Sequence, residues 1–181
     1  MVPDSSGACG NLELIISLNF FGTISQGAAR MDIADLLNNN NDDEQRILNV
    51  VSRLDATNLS VGNSIYVATK YAVARWMRRH SASYAANGVR INAVAPGNVN
   101  TAMTATMSVN AKMALNALLI PTKYGKETLM DPEEIASVIV FLSSEEAKGV
   151  NGNVMFVDGG TDALLNTEKV YYFRKTDILN I

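Results

Sequence analysis

The chain has 181 residues, of which 48% are hydrophobic and 18% are charged, so it is long enough to bury one sizeable core. Fifteen Lys and Arg residues and 18 Asp and Glu residues leave a net charge of −3. This charge argues against a nucleic-acid partner, because phosphate binding requires a basic surface. A single cysteine, Cys9, excludes an intrachain disulfide, and a single histidine, His80, excludes a two-histidine metal site.

The apolar runs are far shorter than the roughly 20 residues that span a bilayer. At the N-terminus, no basic stretch precedes an apolar one, as it would in a signal peptide. The sequence therefore predicts a cytoplasmic protein with no membrane partner and no bound metal.

Three elements are expected in the first half of the chain. Leu12 to Leu37 contains few breaking residues and is predicted to be one long helix. Arg46 to Ser52 (RILNVVS) is a short apolar run with β-branched residues, which predicts a buried strand. Tyr66 to Asn87 is rich in alanine and lacks Pro and Gly, so it predicts a helix that ends before Gly88.

Three more elements follow. Val89 to Ala95 predicts a strand that stops at Pro96. The stretch DPEE at 131–134 predicts a helix start with a capping Asp and a Pro at the first position, and this helix continues to about Ser143. Gly152 to Gly160 predicts another strand. Nearly all-apolar strands separated by helices are typical of a parallel sheet covered on both faces, so we expect one α/β domain, doubly wound, over residues 1–181.

Tyr66 and Lys70 are the first candidates for chemistry. They are four residues apart near the start of a predicted helix, so their side chains share one face. Tyrosine has a pKa of about 10, and an ammonium group nearby stabilises the phenolate and lowers that pKa. The spacing alone is weak, because a lysine extended along a helix surface gives the same pattern. A second pair, Tyr171 and Lys175, occurs without a strand, turn or serine and is interpreted as accidental.

The surroundings of Tyr66 strengthen the proton-transfer interpretation. YVATKYAVARWMRR, NGVRINAVAPGNVNT and DPEEIASVIVFLSSEEAKGVNGNVMFVDGGTDAL occur in that order. Together they resemble the C-terminal two thirds of a short-chain dehydrogenase/reductase, near the 3α-hydroxysteroid dehydrogenase/carbonyl reductase members. The resemblance covers roughly Leu12 to Leu165. It implies a Rossmann-like fold and an NAD(P)-dependent oxidoreductase for a secondary alcohol or ketone, with a hydroxysteroid as one expected substrate.

The resemblance assigns four catalytic roles. Tyr66 is expected to be the general acid/base, and Lys70 is expected to lower its pKa and to bind the nicotinamide ribose. Ser52 is expected to hold the substrate oxygen, and Asn19 in SLNFFG to support a proton relay through water. Ser52 precedes Tyr66 by fourteen residues, one more than is usual in the family, so Ser60 and Ser64 are alternatives.

The resemblance also implies a cofactor, NAD or NADP, with NAD slightly preferred. Its nicotinamide end is expected to contact Tyr66 and Lys70 and a turn after the predicted strand. The turn residues that match the family pattern are Pro96, Gly97, Val99 and Thr101.

One family feature is missing from the 181 residues. Neither GxxxGxG nor GxGxxG occurs, although family members use such a turn to receive the cofactor pyrophosphate. We therefore expect an N-terminally truncated version of the fold. The alternative function is a catalytically inactive paralogue that acts as a dimerisation or interaction module. In either case a homo-oligomer is expected, paired through the helices at Leu12–Leu37 and Tyr66–Asn87. A serine hydrolase using Ser52 and His80 is a weaker alternative, because no G-x-S-x-G motif is present.

Overall fold

A three-stranded parallel sheet is the centre of the fold. The computed structural model describes residues 12–17, 30–39, 44–55, 57–116, 120–123 and 129–165. The strands are β1 (Leu12–Ser17), β2 (Val89–Pro96) and β3 (Val154–Val157), in the order β1-β2-β3. Leu12 aligns with Val89 and Ala93 aligns with Val154, so β2 has a parallel neighbour on each side.

Helices connect and cover these strands. The α-helices are α1 (Met31–Asn39), α2 (Glu44–Val51), α3 (Leu59–Ala85), α4 (Ala102–Ala105), α5 (Val109–Asn116), α6 (Pro132–Leu142) and α7 (Thr161–Leu165). Two 3₁₀ turns occur at Pro121–Lys123 and Glu145–Ala147.

The two faces of β2 pack against different helices. Ile91 and Ala93 form a buried cluster with Met77 of α3. Val94 belongs to a second cluster that includes Ile135, from α6. Because side chains alternate along a strand, this division places α3 and α6 on opposite faces of the sheet. The predicted α/β fold, a parallel sheet with helices on both faces, is confirmed.

Two buried polar side chains of β2 hold the segment that joins α6 to β3. The Arg90 guanidinium donates hydrogen bonds to the carbonyls of Leu142, at 2.9 Å, and Ala147, at 3.0 Å. The amide of Asn92, which is fully buried, donates to the carbonyl of Val150 at 3.0 Å. The Leu142 carbonyl, at the end of α6, thereby gains a charged donor in place of a helical one.

The prediction of one helix from Leu12 to Leu37 is wrong. Leu12–Ser17 is the strand β1, the helix that is described begins at Met31, and residues 18–29 lie outside the described residues. The run LELIIS has no breaker and suits either element, because a short apolar stretch cannot be assigned from periodicity alone. Pairing along β2 decides in favour of the strand.

The buried strand predicted at Arg46–Ser52 is also wrong. This stretch lies within and just after α2, none of whose residues is buried. The apolar residues Ile47, Val50 and Val51 have helical spacing. Val50 and Val51 pack against a buried cluster that Ile33 forms with alanines of α1 and α3. A helix suits this amphipathic pattern at the protein surface better than a central strand does.

The remaining predicted elements are confirmed with shifted boundaries. Helix α3 starts before Tyr66, at Leu59, and Gly88 beyond its end has a φ of 77°, a conformation that favours glycine. Asp131 caps α6, and its backbone N–H donates to the Glu134 carboxylate at 2.8 Å. The ammonium of Lys123 hydrogen-bonds the same carboxylate and lowers the pKa of Glu134.

Candidate active site

The path of α3 brings Tyr66 to the carboxyl end of β2. A tight turn at 86–88 joins the two elements, so the helix runs antiparallel to the strand. Met77 packs beside Ile91 and Ala93. Going back from Met77 to Tyr66 covers about 16 Å of helix at about 1.5 Å per residue. From the level of Ile91 and Ala93, the same distance along β2, at about 3.3 Å per residue, reaches Gly97. Tyr66 is therefore level with the turn that follows β2.

Tyr66 and Lys70 form a close pair on α3. The Lys70 Nζ lies 5.5 Å from the centroid of the Tyr66 ring. The tyrosine is 39% exposed, so a ligand can reach its side chain, while Lys70 is half-buried. The four-residue spacing seen in the sequence thus gives a real contact between a phenol and a cation.

The turn after β2 is fixed against β3. Pro96 is buried and aligned with Val157, and the Gly97 N–H donates to the Val157 carbonyl at 2.9 Å. A Cβ atom on Gly97 would lie 2.9 Å from the Cα of Asp158, closer than real side chains come. The glycine is therefore required for the two strand ends to pack together.

The second half of the turn leads into α4. Val99 forms a parallel bridge with Met130, which ties the turn to the start of α6. The Thr101 side chain caps α4, and its backbone N–H donates to the hydroxyl of Thr104 at 2.8 Å. Thr101, including its hydroxyl group, is exposed to solvent. Pro96, Gly97, Val99 and Thr101 thus form one braced loop at the carboxyl edge of the sheet.

Asp158 is a residue of this edge that the sequence analysis did not single out. It is buried, and its carboxylate accepts hydrogen bonds from the backbone N–H groups of Gly160, at 2.9 Å, and Asp162, at 2.7 Å. It thereby caps α7. A cleft of about 610 Å³ lies beside it, lined among others by Met130 and Phe156. The DGG stretch at the end of the predicted strand Gly152–Gly160 is the signal that points to this corner.

Ser52 occupies a different setting from the one expected. It is exposed just after α2, and its hydroxyl donates to the Asn49 carbonyl at 3.3 Å. The argument that placed it at the end of a strand is wrong, so its role remains a prediction. Of the alternatives, Ser64 donates to the Val61 carbonyl at 2.8 Å within α3, and the side chain of Ser60 lies outside the described residues. Asn19 lies outside them too.

His80 is engaged by its own helix. Its ring stacks on Trp76 with centroids 4.6 Å apart, and its Nδ1 lies 2.8 Å from the Trp76 carbonyl. Because a carbonyl only accepts, Nδ1 is the donor here. His80 also lies fourteen residues from Tyr66, about 21 Å along α3. This placement gives no support to a hydrolase that uses Ser52 and His80.

The part of the chain that the structure describes contains neither a cluster of metal-ligating residues nor a membrane-spanning helix. No group of three or more His, Cys, Asp and Glu residues there has the arrangement of a metal site. None of the helices described combines the length and the apolar character needed to cross a bilayer.

An open parallel sheet with helices on both faces, and with polar groups gathered at the carboxyl ends of its strands, defines a Rossmann-like α/β protein. The sequence profile described as enoyl-(acyl carrier protein) reductase matches residues 11–162. The chain is 37% identical over 118 residues to a cis-4-hydroxycyclohexanecarboxylate dehydrogenase of Sinomonas cyclohexanicum. It is 31% identical over 150 residues to the 3-oxoacyl-(acyl-carrier-protein) reductase FabG of Aquifex aeolicus. The chain belongs to the short-chain dehydrogenase/reductase family.

A solved structure agrees with this assignment. The fold is similar to that of the 3-alpha-hydroxysteroid dehydrogenase from Pseudomonas sp. B-0831 complexed with NADH, with a TM-score of 0.69 and 28% identity. That match covers 87% of this chain and 58% of the other. The matches to the Sinomonas and Aquifex proteins cover 65% and 82% of this chain, but 45% and 55% of those proteins. The chain thus spans about half the length of the curated relatives it matches.

Proposed function

We propose that this chain carries the catalytic part of an NAD(P)-dependent oxidoreductase that interconverts a secondary alcohol and a ketone. A hydroxysteroid is one candidate substrate, in keeping with the similarity to a hydroxysteroid dehydrogenase structure. The observation that carries the proposal is the contact between Lys70 and the Tyr66 ring, 5.5 Å from nitrogen to centroid, at the carboxyl edge of the sheet.

In the proposed chemistry, Tyr66 exchanges one proton with the substrate oxygen. In alcohol oxidation the Tyr66 phenolate accepts the hydroxyl proton of the substrate, and in ketone reduction the phenol returns it. The Lys70 ammonium favours the phenolate by its charge. Ser52 is proposed to hold the substrate oxygen and Asn19 to support the proton relay. The nicotinamide, when bound, would accept the hydride from the carbinol carbon in oxidation and would donate it to the carbonyl carbon in reduction.

The described residues at the carboxyl edge of the sheet include donors that suit the nicotinamide end of the dinucleotide. The Tyr66 and Lys70 side chains and the exposed Thr101 hydroxyl are chemically suited to a ribose and a carboxamide. Pro96, Gly97 and Val99 give the adjoining turn its fixed backbone. NAD and NADP differ at the adenosine end, so these groups do not separate them; NAD is slightly preferred in the proposal.

The 181-residue chain is expected to bind NADH no more tightly than about millimolar, or about −4 kcal/mol. A few hydrogen bonds of about 0.5–1.5 kcal/mol each must offset an association cost of at least about 4 kcal/mol. Isothermal calorimetry on the purified chain measures this. Adding a strand–turn–helix segment with a GxxxGxG turn, in the same chain or as a separate one, is expected to tighten binding. Micromolar binding by the 181 residues alone would mean that the phosphate site has been misplaced.

Replacing Lys70 by alanine is expected to slow alcohol oxidation and to move the pH of half-maximal kcat/KM upward, because the phenolate loses the neighbouring ammonium. The Lys70→Arg variant keeps a cation and should show a smaller displacement. Initial rates across pH at millimolar NAD⁺ measure both variants. A slower enzyme with an unchanged pH profile would contradict this role for Lys70.

The proposal as a whole is tested by following reduced cofactor during oxidation of a secondary alcohol at millimolar NAD⁺ or NADP⁺. Turnover that depends on Tyr66 supports it. Folded protein without turnover, even when the cofactor is raised well above its measured Kd, would favour the inactive interaction module instead. A homo-oligomer also remains a proposal. It now involves α3, because the segment Leu12–Leu37 begins with the strand β1 and because α1, at its other end, packs on α3 within the chain, where Arg75 and Asp35 pair.

A further inference from the structure

The cleft of about 610 Å³ beside Asp158 lies where the end of β3, the start of α6 and α7 meet. Its walls include Met130, the half-buried Phe156 and the exposed Ala163 of α7. The volume falls within the range of about 300–1,000 Å³ that is typical of ligand pockets. Directly after Ala163, the apolar residues at 164 and 165 are 47% and 46% exposed. Exposed apolar side chains thus extend from the cleft to the last residue of α7.

The charged residues that line this cleft are all acidic. They are Glu134, Asp158 and Asp162, and no Lys or Arg lines it among the residues that the structure describes. Lys123 pairs with the Glu134 carboxylate at 2.8 Å and with the Asp131 carboxylate at 3.4 Å. Among the described residues, one ammonium therefore accompanies four carboxylates around the cleft. A segment that carries apolar side chains next to basic ones suits such a surface.

The chain contains a segment with these properties directly after α7. Residues 166–181, called the tail below, follow Leu165 and lie outside the described residues. The tail contains the run VYYFRK at 170–175, in which four apolar or aromatic residues precede Arg174 and Lys175. The tail also lies beyond residues 11–162, the part of the chain that matches the sequence profile. The family match therefore does not account for this apolar run.

The tail is long enough to return to the cleft. Ala163 lies two residues before the end of α7, about 3 Å along the helix axis. From Leu165 to Val170 the chain can extend up to about 17 Å. A short flexible connection holds a segment at an effective concentration of about millimolar. This concentration favours the cleft of the same chain over the cleft of another copy.

We propose that the cleft binds the tail of the same chain, with the aromatic residues 171–173 against Met130 and Phe156 and with Arg174 and Lys175 beside the acidic residues. This inference does not depend on the proposed function. Removing the aromatic side chains from water supplies the favourable free energy, and the opposite charges fix the orientation of the segment. The bound tail covers the corner at which the end of β3 leads into α7.

Acrylamide quenching of a tryptophan placed in the tail tests the proposal on the full chain. The reporter protein carries Phe173→Trp, and Trp76→Phe removes the natural tryptophan. At a millimolar effective concentration, a Kd of about 0.5 mM leaves about one third of the tails unbound. The quenching constant is therefore expected to be about threefold lower than that of a free peptide of residues 166–181 with the same tryptophan.

Two matched variants of the reporter protein locate the binding surface. Ala163→Arg places a bulky cation in the cleft and is expected to raise the quenching constant to that of the peptide. The control Ala136→Arg makes the same change at an exposed position of α6 that does not line the cleft, and it should leave the constant unchanged. Arg174→Glu/Lys175→Glu alters only the tail and should also give the value of the peptide, so the test holds even if Ala163→Arg folds poorly.

Three results would overturn the proposal. The reporter tryptophan could be quenched as readily as in the free peptide, or Ala163→Arg and Ala136→Arg could change the constant equally. Alternatively, the constant could fall as the protein concentration rises while sedimentation shows a larger species, and the tail would then bind another copy. A low constant that is independent of protein concentration and is lost in the cleft and tail variants supports binding within one chain.

Discussion

Replacing Tyr66 by phenylalanine is expected to lower kcat about 10²- to 10⁴-fold, the usual contribution of a positioned general acid or base. The change removes one hydroxyl from a side chain that is 39% exposed, so the fold should stay intact. Initial rates of alcohol oxidation at millimolar NAD⁺ and a thermal unfolding curve measure the two effects separately.

Tyr71 provides a matched control on the same helix. It too is 39% exposed, and the guanidinium carbon of Arg75 lies 5.7 Å from its ring centroid. The pair thus repeats the phenol-and-cation arrangement of Tyr66 and Lys70 with the same four-residue spacing. Tyr71→Phe should leave kcat unchanged, as should Tyr171→Phe in the segment outside the described residues. Equal losses in the Tyr66 and Tyr71 variants would show that the catalytic tyrosine has been assigned wrongly.

Replacing Arg90 by methionine is expected to reduce the free energy of unfolding by about 3 kcal/mol or more. Its guanidinium serves the carbonyls of Leu142 and Ala147 at 2.9 and 3.0 Å, and each hydrogen bond to a charged group contributes about 1.5–3 kcal/mol. Methionine fills much of the volume but leaves these buried carbonyls without that donor. For a chain of this length the melting temperature should fall by about 6–12 °C. Urea unfolding followed by circular dichroism measures the change.

Arg53 is the corresponding control, because it is exposed in the turn after α2. Arg53→Met should change the free energy of unfolding by less than about 0.5 kcal/mol. Arg90→Lys keeps the charge but loses the fork of donors, so its stability should lie between those of the other two proteins. If Arg90→Met is as stable as Arg53→Met, the guanidinium does not hold the connection between α6 and β3.

The sequence was most informative where local signals agreed with the final packing. Helix α3 has a long alanine-rich stretch and a glycine after its end, and α6 has a capping Asp followed by Pro. Strand β2 has β-branched residues and stops at Pro96. In these elements the chain itself carries the start and stop information, so propensity and capping were sufficient.

The two wrong predictions came from short apolar runs. LELIIS and RILNVVS both contain β-branched residues without breakers, yet the first is β1 and the second lies mainly in α2. The difference is made by partners distant in the sequence: β1 aligns with β2, whereas Val50 and Val51 pack beside Ile33. Tertiary contacts of this kind override the weak local preferences, and one sequence does not display them.

The candidate site was predictable to the extent that it lies along continuous motifs. Tyr66, Lys70 and the turn from Pro96 to Thr101 follow from the family resemblance, and their roles await the experiments above. Asp158 was overlooked because its role depends on the packing of the end of β2 against the end of β3, which one sequence does not display. Gly97 packs against the Cα of Asp158, and the Asp158 carboxylate caps α7. Ser52 shows the opposite case, since its assignment depended on a strand that is absent from this position.

The parallel pairing of the strands has a consequence for how the chain acquires its structure. Leu12 aligns with Val89 and Ala93 aligns with Val154, so each pairing joins positions more than sixty residues apart. Closing such long loops is entropically costly and slow. By contrast, α3 and β2 are joined by a short turn and share the cluster of Met77, so this unit should form first. Until β1 and β3 arrive, both edges of β2 lack those two neighbours, and that interval is when aggregation competes most strongly with folding.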